Sequence, residues 1–145
     1  MASEIEILQI IRGEHHDPFH ILGAHPVEID GKSAVAIRAF LPEALSAAVI
    51  PCDEKKSIPM EKVHAEGFFE AVFENRNQLF TYRLQLSNAE SRTWEIVDPY
   101  SFWPILTDFD LHLFGEGTYL EAHEKLGAHL CEPGGIAGVL FAVWA

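Results

Sequence analysis

The sequence is poor in cysteine, in basic residues and in long apolar runs. Only Cys52 and Cys131 occur, without CxxC spacing, which favours two reduced thiols over a disulfide framework. Lys and Arg number 10 against 22 Asp and Glu, a formal net charge of −12. A nucleic-acid backbone or an anionic membrane surface would therefore be repelled, whereas a neutral polyol ligand would not.

Targeting and membrane signals are also lacking. The acidic Glu4 and Glu6 precede a short apolar stretch, the reverse of a signal peptide. No run approaches the about 18 apolar residues of a membrane span. Together with the reduced thiols, this predicts a cytoplasmic protein. No nucleophile elbow, phosphate-binding glycine loop or dinucleotide fingerprint occurs, so we predict no cofactor and no catalytic site within the chain.

What remains is an ordinary globular composition, 48% hydrophobic and 22% charged. Short alternating segments are bounded by turn residues, and Asp30-Gly31 predicts a tight hairpin between Val27–Ile29 and Ala34–Leu41. Further strands are predicted at 45–50, 58–63, 68–73, 79–86 and 94–97. This spacing predicts an all-β fold, an immunoglobulin-like antiparallel β-sandwich with short peripheral helices.

Three helical segments are predicted around these strands. Ser3 with Glu6 forms a capping box for a helix that Gly13 can close. Asp17-Pro18 predicts an N-cap followed by a single helical turn. Thr107 with Asp110 predicts a second capped helix ending before Gly115.

A repeat suggests where the first module ends. The tetrapeptide at Leu22–His25 recurs at Leu126–His129, an offset of 104 residues, and a strand-like segment begins ten residues beyond each copy. We interpret this as a tandem duplication, with one β-sandwich module at 1–118 and a connector plus the truncated first strand of a similar module at 119–145. The final apolar strand is expected to lack partners of its own.

Several motifs resemble one family in order and spacing. The segment His16–His25 is similar to the opening signature of bacterial glycogen branching enzymes, the 1,4-α-glucan branching enzymes of the GlgB type. Asp98–Phe102 resembles that family's DPYxF segment. Gly115–Thr118, Leu126–His129 and Phe141–Ala145 resemble the passage into its second N-terminal module.

The resemblance implies a non-catalytic N-terminal module of a larger glycosyltransferase in glycogen biosynthesis. That enzyme would transfer α-1,4-glucan segments to α-1,6 branch points, with a nucleophile and a general acid on a later (β/α)8 barrel. The implied partners are α-glucan, through the whole enzyme, and the following module and barrel. A module that positions the barrel and an independent α-glucan-binding module both remain open, whereas a free-standing interaction domain is disfavoured by the repeat.

Histidines and paired carboxylates suggest more specific functions, metal binding and catalysis, which the sequence supports less well. His15, His16, His20 and His25 match no metal-binding pattern, so we predict no metal site and assign them to loop hydrogen bonds. The carboxylates of Asp110 and Glu70 are not interpreted as a catalytic acid or base. Asp110 has a capping role, and Glu70 alternates with apolar residues as a solvent-facing strand residue.

Aromatic side chains are the remaining candidates for sugar contact, because sugar rings stack on aromatic faces. Trp94 could face either the core or the surface. Tyr100, Phe102 and Trp103 follow the last strand and could dock on a neighbouring module or contact glucan. These four are the candidate glucan-contact residues.

Overall fold

A computed structural model describes residues 2–54, 56–102 and 104–144 of the protein. The chain forms two compact units, one ending at Ser101 and the next beginning at Phe102. The module boundary predicted between 118 and 119 lies further along the chain and stays a prediction.

Most of the regular elements of the first unit are strands. In chain order its elements are α1 (Glu4–Arg12), a 3-10 turn (Pro18–His20), β1 (Gly23–Ile29), β2 (Lys32–Phe40), β3 (Ser46–Pro51), β4 (Ile58–Pro59), β5 (Glu61–His64), β6 (Phe68–Phe73), β7 (Tyr82–Ser87), β8 (Thr93–Ile96) and a 3-10 turn (Pro99–Ser101).

These strands form two antiparallel four-stranded sheets, ordered β1-β2-β6-β5 and β4-β3-β7-β8. Alternate residues of both sheets point into one shared core, which includes Ile37, Phe69, Val49 and Leu84, each no more than 1% exposed. The predicted all-β, immunoglobulin-like antiparallel sandwich with short helices is confirmed.

Helix α1 covers part of the outer surface of the first sheet. Ser3 and Glu6 form the predicted capping box, and Gly13 ends the helix with a φ of +67°. Ile7 and Ile10 face a second cluster containing Phe68 of β6. The predicted helix is confirmed at both ends.

The 3-10 turn Pro18–His20 confirms the single helical turn, with Asp17 at its N-cap position and Pro18 in its first turn. Asp17 precedes the turn without accepting a capping hydrogen bond. Its own N–H instead donates to His15 Nδ1 at 3.1 Å. Asp17 therefore occupies the predicted N-cap position, but its carboxylate makes no capping hydrogen bond.

Two predicted strands differ from the structure. The segment predicted at 58–63 is two strands: β4 pairs with β3, β5 pairs with β6, and the buried Met60 lies where the chain crosses between the sheets. The strand predicted at 79–86 begins only at Tyr82, and Phe80 precedes it as a partly buried residue packed on the core. In both segments the sequence predicts the hydrophobic pattern, but it does not predict which residues form backbone hydrogen bonds with a neighbouring strand.

The second unit contains α2 (Asp108–Glu116), a 3-10 turn (Ala122–Glu124), β9 (Gly127–Cys131), a 3-10 turn (Pro133–Gly135) and β10 (Gly138–Ala142). Thr107 and Asp110 form the predicted capping box of α2. The helix runs through Gly115 and ends at Gly117, whose φ is +69°. The predicted stop before Gly115 is wrong because the left-handed C-cap is supplied by the later glycine.

Strands β9 and β10 form an antiparallel hairpin of their own. The expectation that the final apolar strand lacks a partner is therefore wrong, because β9 supplies its backbone hydrogen bonds. The apolar side chains of this hairpin nevertheless remain in solvent. Leu130 is 90% exposed and Phe141 is 73% exposed.

Candidate functional site

Trp94 belongs to the sandwich rather than to an open aromatic surface. It lies on the edge strand β8 opposite Leu86 of β7 and packs, partly buried, against the main core. Thr93 and Glu95, which alternate with it, are exposed. The structure therefore places the inner side of β8 against the core and leaves its other side in solvent.

The remaining aromatic candidates lie at and beyond the end of the first unit. Tyr100 packs against the second cluster, with its ring edge-on to Phe19 at a centroid distance of 5.0 Å. Phe102 is half-buried and belongs to the second unit. Trp103 lies outside the described residues. Trp94 and Tyr100 therefore pack on different clusters, and their role in glucan contact stays a prediction.

The segment that ends the first unit is held by one buried carboxylate. Asp98 is 2% exposed, and its Oδ2 accepts a hydrogen bond from the Tyr82 hydroxyl at 2.5 Å. Its Oδ1 accepts the N–H of Tyr100 at 2.9 Å, and its backbone oxygen accepts the Ser101 hydroxyl at 2.6 Å. We call this arrangement the Asp98 clamp; it joins β7 to the 3-10 turn Pro99–Ser101.

Burial dominates the electrostatics of the clamp. It raises the pKa of Asp98 above the ordinary value of 3.8, although the hydrogen bonds from Tyr82 and Tyr100 oppose the shift. Burial and the neighbouring Asp98 carboxylate together raise the pKa of the Tyr82 phenol. Tyr82 therefore keeps its proton and donates the hydrogen bond, and the Asp98 carboxylate accepts it.

Gly23 lets the backbone of this turn approach β1 closely. A Cβ built on Gly23 would lie 2.6 Å from the carbonyl oxygen of Tyr100, and its φ is +91°. Both the contact and the backbone conformation therefore require glycine. Sequence reasoning identified Gly23 as part of a motif but missed this contact, because nothing local marks the approach of Tyr100.

An ion pair crosses the outer side of the first sheet. Arg38 of β2 is 4% exposed, and its Nε lies 2.6 Å from Glu70 Oε1 on the adjacent residue of β6. The prediction that Glu70 is solvent-facing is wrong, because its side chain is only 16% exposed and neutralises a buried guanidinium. An arginine among apolar strand residues was the available signal.

Asp110 fulfils its predicted capping role and gains further partners. Its carboxylate accepts hydrogen bonds from the Tyr119 hydroxyl at 2.6 Å and from Thr107, with Lys125 Nζ at 3.7 Å. The Tyr119 bond is the main reason that the pKa of Asp110 lies well below 3.8, and the same bond raises the pKa of Tyr119 to about 12. This group stabilises the second unit locally.

The histidines take structural positions. The rings of His15 and His16 stack at a centroid distance of 5.2 Å. His25 Nε2 lies 2.9 Å from the carbonyl oxygen of Leu22. Within 2–54, 56–102 and 104–144, no group of three His, Cys, Asp or Glu side chains is arranged to hold a metal ion.

The sequence repeat is also a repeat of local geometry. His129 Nε2 lies 2.9 Å from Leu126 O, as His25 does from Leu22 O. Gly23 and Gly127 have φ values of +91° and +101°, and each begins a strand after a 3-10 turn. We call each of these Leu-Gly-Ala-His units a strand-entry motif.

The strands that follow the two motifs pair in the same register. Gly23 lies opposite Arg38 in the first hairpin, and Gly127 lies opposite Ala142 in the second, each pair shifted by the 104-residue offset. The two hairpins thus share the same local pairing.

Burial, in contrast, is not repeated. Val35 and Ile37 are fully buried, whereas the corresponding Val139 and Phe141 are 48% and 73% exposed. In the first unit, β2 pairs on its other side with β6 and faces the second sheet. Among the described residues, β10 pairs with β9 alone. The second hairpin therefore carries the pattern of a sandwich interior without being covered.

The first unit is a β-sandwich module in which the buried polar side chains form hydrogen bonds and ion pairs within the same unit. The sequence model of one family, described as the N-terminal domain of alpha-1,4-glucan branching enzyme GlgB, matches residues 3–100. The matched range coincides with the first unit from the α1 cap to the Asp98 clamp. The chain belongs to this family of GlgB N-terminal domains.

Several curated relatives carry the same name, 1,4-alpha-glucan branching enzyme GlgB. Those of Nostoc sp. and Trichodesmium erythraeum are each 46% identical, over 97% and 99% of this chain. That of Cereibacter sphaeroides is 37% identical over the whole chain. The chain spans only 18% to 19% of the length of these relatives.

Likeness to solved structures is weaker. A pullulanase from Paenibacillus barengoltzii superposes on 63% of this chain, and the chain on 16% of the pullulanase, with a TM-score of 0.44 and 20% identity, too low to support an argument. In the part of the chain that the structure describes, no helix is long and apolar enough to cross a membrane.

Proposed function

We propose that this chain is the non-catalytic N-terminal part of a 1,4-α-glucan branching enzyme of glycogen biosynthesis, and that it positions the catalytic barrel and influences which glucan chains are transferred. The observation that carries the proposal is the family match over residues 3–100, together with relatives that share almost the whole chain. The free thiols of Cys52 and Cys131 support a cytoplasmic location.

The construction of the first unit supports positioning over chemistry. Tyr82 engages the buried carboxylate of Asp98, and Arg38 engages the partly buried carboxylate of Glu70. A catalytic carboxylate must instead reach a substrate. The first unit thus has the character of a rigid body that can hold other parts of a larger protein in place.

The test is deletion of residues 2–101 from the full-length enzyme. The deletion should alter the chain-length distribution of the branched product, measured after enzymatic debranching, because positioning selects which chains reach the barrel. Arg76→Gln is the control, since it removes the contacts of Arg76 with Asp53, Glu54 and the Phe80 ring without removing the unit. An unchanged distribution on deletion would overturn the positioning role.

The alternative function, an independent α-glucan-binding module, is tested on the 145-residue chain itself. We expect no retardation in a native gel containing glycogen, since Trp94 and Tyr100 are engaged in packing. Retardation that Trp94→Ala or Tyr100→Ala weakens would favour the binding module instead.

We propose further that β9 and β10 are the first two strands of a second β-sandwich module, completed by a later part of the longer protein. Support comes from the shared register of the two hairpins and from the apolar residues at positions that are buried in the first module. A strand pairing with β10 as β6 pairs with β2, and a facing sheet, would cover Val139 and Phe141.

This second proposal is tested by extending the chain by about 100 residues, a typical domain length. In the extended chain Phe141→Glu should destabilise the second module by about 3 kcal/mol or more, as expected for the loss of a buried aromatic side chain. Leu120→Glu is the control, since Leu120 is 92% exposed and lies outside the repeated strands. Equal, negligible effects of the two substitutions would contradict the proposal. Concentration-dependent dimerisation that is lost in Phe141→Glu would indicate that a second copy of the chain covers β10.

A further inference from the structure

We infer that Asp98 is a positioning residue of the enzyme, which fixes the segment leaving the sandwich and so sets how the first unit is held within the larger protein. The inference rests on the proposed positioning function and names the residue through which that function acts. It concerns the Asp98 clamp, whose carboxylate and turn lie in the Asp98–Phe102 segment that resembles the family's DPYxF motif.

The clamp ties the departing chain to the interior of the sandwich. Tyr82 belongs to the main core and is 3% exposed, so its hydroxyl is presented from a fixed position. Asp98 receives that hydroxyl on one carboxylate oxygen and the Tyr100 N–H on the other. One side chain therefore links the core of the sandwich to the backbone of the last turn.

The turn is held from its other side as well. The Tyr100 carbonyl lies against Gly23 of β1 at a distance that excludes any side chain. The Tyr100 ring packs on Phe19 and on the second cluster, which also contains Leu22. Contacts with β7, β1 and the Pro18–His20 turn thus restrain the same three residues, Pro99–Ser101.

Packing alone does not account for this choice of residues. A phenylalanine in place of Tyr82 and an apolar residue in place of Asp98 would fill similar space without burying a carboxylate, which carries a desolvation cost. An apolar side chain could not, however, accept the Tyr100 N–H. The buried pair of Tyr82 and Asp98 therefore sets the path of the chain at the end of the first unit and does not serve only to fill the core.

The first measurement is amide hydrogen exchange in the 145-residue chain. Tyr82→Phe removes only the hydroxyl, and Asp98→Ala removes both acceptors. Exchange of the Tyr100 amide should accelerate at least about tenfold in Asp98→Ala, corresponding to the loss of one charge-assisted hydrogen bond. Asp98→Asn should restore slow exchange, because its amide oxygen can accept the Tyr100 N–H while its NH2 group donates to Tyr82.

The second measurement is the product chain-length distribution of the full-length enzyme carrying the same variants. Tyr82→Phe and Asp98→Ala should shift it in the direction seen on deletion of residues 2–101, and Asp98→Asn should return it toward that of the wild type. Gly31→Ala controls for loss of stability, since it strains the β1–β2 turn at a φ of +74° and its Cβ would meet nothing within 4 Å. If Asp98→Ala fails to fold, the pair Tyr82→Phe and Asp98→Asn carries the comparison.

The outcomes separate the inference from the function on which it rests. A shift on deletion without a shift in Tyr82→Phe or Asp98→Ala would overturn the role of Asp98 and leave the positioning function intact. No shift on deletion would overturn both. Unchanged exchange at Tyr100 in Asp98→Ala would show that the carboxylate does not hold the turn, which also overturns the inference.

Discussion

Replacing Gly23 with alanine tests whether the turn after β8 is anchored on β1. Gly31, in the turn of the same hairpin, provides a matched comparison. Both glycines have positive φ, +91° and +74°. A Cβ on Gly31 meets nothing within 4 Å, whereas a Cβ on Gly23 meets the Tyr100 carbonyl oxygen at 2.6 Å. The two variants share the backbone cost and differ in the contact.

The magnitudes follow from these two terms. A positive φ costs an alanine about 1–2 kcal/mol, which is the expected loss of unfolding free energy for Gly31→Ala. Gly23→Ala adds an overlap with a backbone atom, which can be relieved only by moving the Pro99–Ser101 turn. Overpacking of this kind costs about 1–3 kcal/mol, so the expected loss for Gly23→Ala is about 2–5 kcal/mol.

The assay is urea unfolding followed by the amide signals of β2 and β6, so that only the first unit is measured. Hydrogen exchange of Tyr100 and Ser101 should also accelerate in Gly23→Ala but not in Gly31→Ala. Equal losses of unfolding free energy in the two variants, with unchanged exchange at Tyr100, would refute the close contact between β1 and the turn.

Three further predictions concern the polar groups. Because the pKa of Asp98 is raised in the folded state, its protonation stabilises the fold below pH 3.8, and this contribution is lost as pH rises. The free energy of unfolding of Asp98→Asn, measured in urea, should therefore increase relative to that of the wild type as pH rises above 3.8. Glu70→Leu should lower the unfolding free energy by about 3–5 kcal/mol, because it leaves the buried guanidinium of Arg38 without its counter-charge. Adding Arg38→Met should recover most of that loss in a double-mutant cycle, and a purely additive cycle would contradict the pairing. The pKa of Asp110 is lowered, so its stabilising contribution is present above pH 3.8 and lost below it; amide protection of α2 should fall on acidification in the wild type and depend less on pH in Tyr119→Phe.

The local elements of this protein can be predicted from short stretches of its sequence. The two capping boxes were read correctly because each joins residues three positions apart, as Ser3 and Glu6 show. The hairpin at Asp30-Gly31 was predictable because an Asp-Gly pair favours the positive φ that both residues adopt. The strand-entry repeat was visible because its four residues are contiguous in the sequence, at Leu22–His25 and again at Leu126–His129.

The tertiary structure alone decided which distant residues meet. Arg38 and Glu70 are 32 positions apart, and Tyr82 and Asp98 are 16 apart, so no local pattern pairs them. The division of segment 58–63 between two sheets likewise depends on which strands lie alongside it. Hydrophobic alternation fixes which side of a strand is apolar, but its neighbours are set by long-range hydrogen bonding and burial. The Asp98 clamp, on which the proposed positioning of this module rests, belongs to that second kind of information.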